Sequence, residues 1–112
     1  MNFEIITTED VEVAIKRLSK KYRGFEDDIK AFRKELKTNP FQGVEIAPHI
    51  RKIRMSITAK GKGKSGGARV ITFNALVSNQ EGKVYLLLIY DKAEASNVKL
   101  NVIKEIVKDL GL

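Results

Sequence analysis

Basic side chains are concentrated in one segment of the sequence, residues 51–69, which reads RKIRMSITAKGKGKSGGAR. The segment contains seven lysines and arginines and no aspartate or glutamate, whereas the rest of the chain has 14 basic and 14 acidic residues. The net charge of +7 is therefore a local feature. Cations gathered in one place attract a polyanion, most often nucleic-acid phosphate. The alternative is a solvated loop whose lysines only keep the protein soluble.

Two of these cations, Lys52 and Arg54, lie two positions apart in a stretch that predicts a β-strand. Such side chains project from the same face about 7 Å apart, close to the spacing of successive phosphates in a nucleic-acid strand. Arg69 opens the next predicted strand and would lie at the loop end of that surface if the strands form a hairpin. Strict alternation places Arg69 on the side of Ile71 and Phe73, however, which leaves open whether it joins the other two cations. The alternative is an ordinary polar strand face.

Other chemistries fit the sequence less well. Gly63, Lys64 and Ser65 match the end of a Walker A motif, but Thr58 stands where the motif needs its first glycine, and a predicted strand follows instead of a helix. His49 is the only histidine, and no carboxylates lie near it at metal-ligand spacing. The chain has no cysteine, and hence neither a disulfide nor a thiolate nucleophile. We expect no metal and no cofactor.

The elements around the cationic segment predict a single α+β domain of 112 residues. Residues 3–6 predict a strand. Two amphipathic helices follow: the first is capped by Thr7 or Thr8, and the second starts after a break at Gly24 and ends at residues 39–40. We expect this helical hairpin to pack its apolar stripe against a sheet.

Three stretches have the composition of strands and predict an antiparallel meander: residues 49–57, 69–78 and 84–90. The last of these is apolar on both faces, which predicts a central strand covered on each side. Between the strands, the sequence predicts a glycine-rich loop and a turn in which Gly82 can supply a positive φ. A final helix is predicted after a cap at Ser96 or Asn97.

Membrane insertion and export are not predicted. No apolar run approaches the roughly 20 residues that span a bilayer, and the first residues lack the basic segment of a signal peptide. We expect a cytoplasmic protein.

The run KIRMSITAKGKGKSGGARVITF, followed by VYLLLIYDKAE, resembles the RelE/HigB family of bacterial toxins from type II toxin–antitoxin modules. The resemblance covers roughly residues 50–94. It implies a RelE-like fold, in which an N-terminal helical hairpin packs on an antiparallel sheet and a C-terminal helix follows. Such toxins are ribosome-dependent mRNA endonucleases that cut the codon in the A site without a metal. The RNA's own 2′-OH attacks the adjacent phosphate, giving a cyclic phosphate and a free 5′-OH.

The resemblance implies catalytic roles for Lys52, Arg54, Arg69 and Lys92, which match the family's basic positions on the strand before the loop, at the start of the next strand and after the last strand. Negative charge grows on the phosphorane in the transition state, and preorganised cations stabilise it there. Lys52 is also a candidate general base, because neighbouring cations favour its neutral form. Some members use a C-terminal tyrosine that residues 97–100 lack, so the proton carriers stay unassigned.

We further assign RNA binding to Arg51, Lys60, Lys62, Lys64 and Tyr90. The lysines would hold rRNA or mRNA phosphates. Tyr90 would stack on a base, with a buried aromatic as the alternative. The expected partners are the ribosome with its mRNA and a cognate antitoxin that covers the cationic surface. Two other functions stay open: a catalytically silent RNA- or ribosome-binding protein of the same fold, and a basic protein-interaction domain.

Overall fold

The computed structural model describes residues 2–95 and 97–112, and in this part of the chain three helices accompany a five-stranded sheet. The elements are β1 (Asn2–Thr7), α1 (Glu9–Lys21), α2 (Phe25–Thr38), β2 (Val44–Ala47), β3 (Ile50–Met55), β4 (Ala68–Ser78), β5 (Glu81–Asp91) and α3 (Leu100–Asp109), with a short 3-10 turn at Thr58–Lys60. The strands lie in the order β1-β5-β4-β3-β2. The predicted α+β class is confirmed.

The sheet is mixed, which corrects the prediction of an antiparallel sheet. Strands β3, β4 and β5 form the expected antiparallel meander, but β1 pairs with β5 in parallel. Parallel neighbours require a long crossover between them. Here that crossover is the whole chain from α1 to β4, so no local sequence signal reveals it.

The second correction concerns β2, which lies between the predicted second helix and the predicted strand at residues 49–57, where no strand is predicted. This strand has only four residues and pairs antiparallel with β3 at the edge of the sheet. Val44 is 67% exposed, and the burial pattern of the strand shows no buried position. Without a buried face the strand lacks the hydrophobic alternation by which strands are predicted.

Helices cover both faces of the sheet. The apolar stripes of α1 and α2 pack on one face, where Leu18, Phe32 and Leu36 are among the buried residues. Helix α3 packs on the other face through Ile103. Strand β5 lies between β1 and β4 and contributes buried side chains to both cores, which confirms the prediction of a central strand.

Two predicted local details differ. Helix α3 begins at Leu100 with Lys99 at its N-cap, so the predicted cap at Asn97 is wrong, and Ser96 lies outside the described residues. Gly82 lies within β5 rather than in a turn, and it is not among the glycines with positive φ. A Cβ at Gly82 would lie 2.5 Å from the carbonyl oxygen of Ala75, so glycine is needed there for close strand approach.

Among residues 2–95 and 97–112, none of the helices combines the length and the apolar character needed to cross a lipid bilayer.

Candidate functional site

The register of β3 and β4 brings the three predicted strand cations to one face. Arg54 lies directly opposite Arg69, and Lys52 lies directly opposite Ile71. Residues directly opposite each other on neighbouring strands share a face of the sheet. The side of Ile71 is therefore also the side of Lys52 and Arg54, and Arg69 joins them without any change in alternation. This face is apolar in its middle and cationic at its loop end.

These side chains line an open cavity of about 470 Å³, which we call the cationic cavity. Its lining residues are Gln42, Gly43, Val44, Lys52, Ile53, Arg54, Lys64 and Arg69. Four of the eight are basic and none is acidic. The ion pairs recorded within the described residues all use Asp91 or Glu94 as the acid, so none of them neutralises a cation of this cavity.

The pairing of Arg54 with Arg69 has an energetic cost. Like charges directly opposite each other on adjacent strands destabilise a sheet. The Arg54 side chain is exposed, whereas only 6% of the Arg69 surface is accessible. A bound anion between the two guanidinium groups would turn this repulsion into attraction, so the geometry suits an anionic ligand such as a phosphate.

Arg69 also organises the glycine-rich loop. Its guanidinium donates hydrogen bonds to the carbonyl oxygens of Lys64 (3.2 Å), Ser65 (3.0 Å) and Ala68 (3.1 Å). Lys92 donates from Nζ to the same Ser65 oxygen at 3.1 Å. We call Arg69 and Lys92, with the carbonyls of Lys64 and Ser65, the loop clamp. Since the loop clamp fixes the backbone at Lys64, it also fixes the point from which the Lys64 side chain extends into the cationic cavity.

Lys60 does not join this surface. Its ammonium donates to Oδ1 of Asp91 at 2.7 Å, and only 10% of its side chain is exposed. Asp91 lies opposite Ala68, whose side chain is in the core under α1 and α2, so the ion pair lies on the other side of the sheet from Arg69. The prediction that Lys60 binds RNA phosphate is corrected, because its charge is used in a buried ion pair.

The environment of Asp91 keeps it ionised. Burial, the largest influence, favours the neutral acid, but hydrogen bonds from Lys60, from the Tyr22 hydroxyl and from the backbone N–H of Ala93 outweigh it. Together they lower the pKa of Asp91 from 3.8 to about 2. The carboxylate thereby ties the 3-10 turn and the end of α1 to the last residue of β5.

The remaining predicted RNA contacts are spread over the molecule. Arg51 lies opposite Thr72, hence on the other face of β3 from Lys52, and donates to the Gly43 carbonyl oxygen at 3.3 Å. Lys62 is exposed, with its stem beside Gly66. Tyr90 is 8% exposed and lies in the core that contains Ile103, so the buried alternative is the one observed and its ring offers no stacking surface.

Sequence reasoning missed Asn97 as a neighbour of the candidate site. Lys52 donates from Nζ to Oδ1 of Asn97 at 3.3 Å. The two residues are 45 positions apart, and no pattern links them. Asn97, which precedes α3, therefore lies beside the cationic face of the sheet.

Neither of the other sequence motifs forms a site of its own. His49 lies in the turn between β2 and β3 with a positive φ of 67°. The segment containing Gly63 and Lys64 leads into β4 rather than into a helix. Within the two described ranges, no three histidine, cysteine, aspartate or glutamate side chains gather as a possible metal site.

No protein-family model matches the chain.

Proposed function

We propose that this protein is a metal-independent, ribosome-dependent mRNA endonuclease and the toxin of a type II toxin–antitoxin module. The observation that carries the proposal is the acid-free cationic cavity, in which Arg54 faces Arg69 and Lys52 and Lys64 complete the lining. The partners would be the ribosome with its mRNA and an antitoxin that covers this cavity. The helical hairpin, the meander and the C-terminal helix are compatible with the RelE-like fold that the sequence resembles.

The chemistry would be an internal transesterification. The 2′-oxygen of one nucleotide forms a bond to the phosphorus of its 3′ phosphate while the bond from phosphorus to the 5′-oxygen of the next nucleotide breaks. The 2′-oxygen loses a proton, and the departing 5′-oxygen gains one. Between these states the phosphorane carries extra negative charge, and cations already fixed around it lower the barrier.

Arg54 is the best-placed group for this charge. Its side chain is exposed, and a guanidinium can donate to two phosphate oxygens at once. Lys52 lies two residues before Arg54 on the same face of β3. It would bind a non-bridging oxygen or the neighbouring phosphate. Arg69 would add its positive charge to the electrostatic stabilisation of the phosphorane, while its hydrogen bonds hold the loop in place.

The decisive variant is Arg54→Ala. Losing a cation that acts mainly in the transition state is expected to slow single-turnover cleavage of ribosome-bound mRNA by about 10²–10³-fold. Because Arg54 is exposed and repelled by Arg69, folding stability should be unchanged or slightly higher. Thermal melting measured beside cleavage therefore separates a chemical role from a structural one.

Lys104→Ala is a matched control, since Lys104 is an exposed cation on α3 outside the cationic cavity. It should leave cleavage nearly unchanged. Folded wild-type protein that binds ribosomes but never cuts mRNA would support the silent binding protein instead. Full cleavage by Arg54→Ala would move the reaction away from the cationic cavity.

A further inference from the structure

A second cavity adjoins the cationic cavity on the same side of the sheet, and Lys52 lines both. This cavity measures about 220 Å³ and lies between the sheet and the start of α3. Five of its eight lining residues are apolar: Ile46, Ile71, Val98, Leu100 and Ile103. The polar ones are Lys52, Asn97 and Lys99.

We propose that this apolar cavity is a subsite for the nucleobase next to the phosphate bound by Lys52 and Arg54. The inference deepens the function proposed above and rests on single-stranded RNA being the ligand of the cationic cavity. A nucleotide combines an anionic phosphate with a flat ring of low charge. The cationic cavity suits the phosphate, the apolar cavity suits the ring, and Lys52 lines both.

The size of the cavity agrees with one ring system. Pockets for drug-sized ligands run from about 300 to 1,000 Å³, so about 220 Å³ has room for a base but not for a whole nucleotide. The accessible aliphatic side chains of Val98 and Leu100 can cover the face of a base, as aromatic ones do more strongly in other single-strand binding sites.

Asn97 supplies the polar recognition at the rim. A lysine ammonium only donates, so the amide oxygen of Asn97 is the atom that faces Lys52. The amide NH₂ group is then the donor that remains for a ligand. Every nucleobase carries acceptors on its edges, and unstacked bases in single-stranded RNA expose them. Asn97 would thus orient the base while Lys52 holds the phosphate beside it.

The test uses a short oligoribonucleotide made uncleavable by one 2′-deoxy position. It is compared with a set of the same oligomers in which each base in turn is removed to leave an abasic site. Binding is measured by fluorescence anisotropy at one fixed salt concentration, because the phosphate contribution depends on salt. We expect one abasic position to weaken binding to the wild-type protein by about tenfold, or about 1.4 kcal/mol.

Two variants should abolish this tenfold difference in binding without weakening the binding of the abasic oligomer. Asn97→Ala removes the amide, and Leu100→Ala removes part of the apolar lining; both positions are exposed enough to tolerate change. Asn101→Ala and Val102→Ala are the matched controls, since both lie on exposed parts of α3 outside the apolar cavity. The controls should keep the tenfold difference.

The outcomes separate this inference from the nuclease proposal. If the wild-type protein cuts ribosome-bound mRNA but no abasic position weakens binding, the subsite is wrong and the nuclease stands. The subsite is also wrong if Asn97→Ala and Leu100→Ala keep the full difference, or if the oligomers do not bind at low salt. The cavity would then be free to take an apolar side chain of a protein partner. If the difference is present and lost in both variants while no cleavage occurs, the subsite stands and the nuclease is wrong.

Discussion

At the scale of single residues, Arg69 has two roles, and its positive charge contributes to both. It lines the cationic cavity, and it donates three hydrogen bonds to carbonyl oxygens of the loop and of its own strand. A lysine in its place keeps the charge but, with a single nitrogen, cannot reproduce the fork that reaches the carbonyls of both Lys64 and Ser65. Substitution by lysine and by alanine therefore separates charge from positioning.

We expect Arg69→Ala to lower the free energy of unfolding by about 1–3 kcal/mol, since one buried and two partly buried charge-assisted hydrogen bonds to backbone carbonyls are lost. Cleavage of ribosome-bound mRNA should fall about 10²-fold or more. Arg69→Lys should show most of this loss of cleavage if the hydrogen bonds from Arg69 to the loop carbonyls matter. Near-normal cleavage by Arg69→Lys would show that charge alone suffices. A large loss of stability in Arg69→Ala with cleavage intact would remove Arg69 from the site altogether.

At the scale of elements, the glycine-rich loop divides its lysines between two tasks. Lys64 lines the cationic cavity and is exposed, whereas Lys60 is paired with Asp91 under α1. The two lysines could not be distinguished from the sequence alone, because both stand in the same run of glycines and lysines. The structure separates them by their contacts: Lys60 is held in an ion pair with Asp91, whereas no ion pair recorded within the described residues uses Lys64.

We therefore predict opposite effects of two alanine substitutions. Lys64→Ala should reduce the salt dependence of RNA binding, the slope of log K against log salt, by about 0.7 for one lost phosphate contact with a single strand. Lys60→Ala should leave that slope unchanged but destabilise the fold by about 1–3 kcal/mol, because the buried carboxylate of Asp91 loses its closest cation and keeps only the more distant Lys21 and two hydrogen bonds. RNA titrations at several salt concentrations and urea unfolding measure both. Equal slopes for Lys64→Ala and wild type would mean that Lys64 does not contact RNA.

The sequence predicted the elements better than their arrangement. Periodicity located α1, α2 and β3, because each has a buried face that repeats every 3.6 or 2 residues, and apolar composition located β4 and β5, which are buried on both faces. It missed β2, which buries little, and the parallel pairing of β1, which has no local signal. For the site, alternation placed Lys52 and Arg54 together, while the loop clamp and the Asn97 contact depend on tertiary folding.

At the scale of the whole molecule, the buried carboxylate of Asp91 makes stability depend on pH. Its pKa is about 2 in the folded protein against 3.8 ordinarily, which corresponds to about 2 kcal/mol of stability at neutral pH. Since the folded pKa is the lower one, this contribution is complete above about pH 4 and is lost as the pH falls through 2.

We expect Asp91→Asn to be less stable than wild type by about 3 kcal/mol or more at pH 7, because Lys60 loses its partner. The gap should narrow by about 2 kcal/mol between pH 5 and pH 2, as the wild type alone loses the ionised carboxylate. Urea unfolding at several pH values measures it. Glu81→Gln, at an exposed acid of β5, is the control for the general effect of removing one negative charge. Parallel curves for Asp91→Asn and wild type would rule out this role for Asp91.

The parallel pairing of β1 with β5 has a consequence for the order in which parts of the protein fold during synthesis. Asn2 pairs with Glu81 and Thr7 with Leu86, so β1 cannot pair until β5 has been synthesised. Contacts between such distant parts of a chain form slowly. Strand β5 also flanks β4, and Lys92 after it completes the loop clamp. A nascent chain that already contains every lysine and arginine of the cationic cavity thus still lacks the framework that holds them, and the cavity is assembled only after β5 and Lys92 have been synthesised.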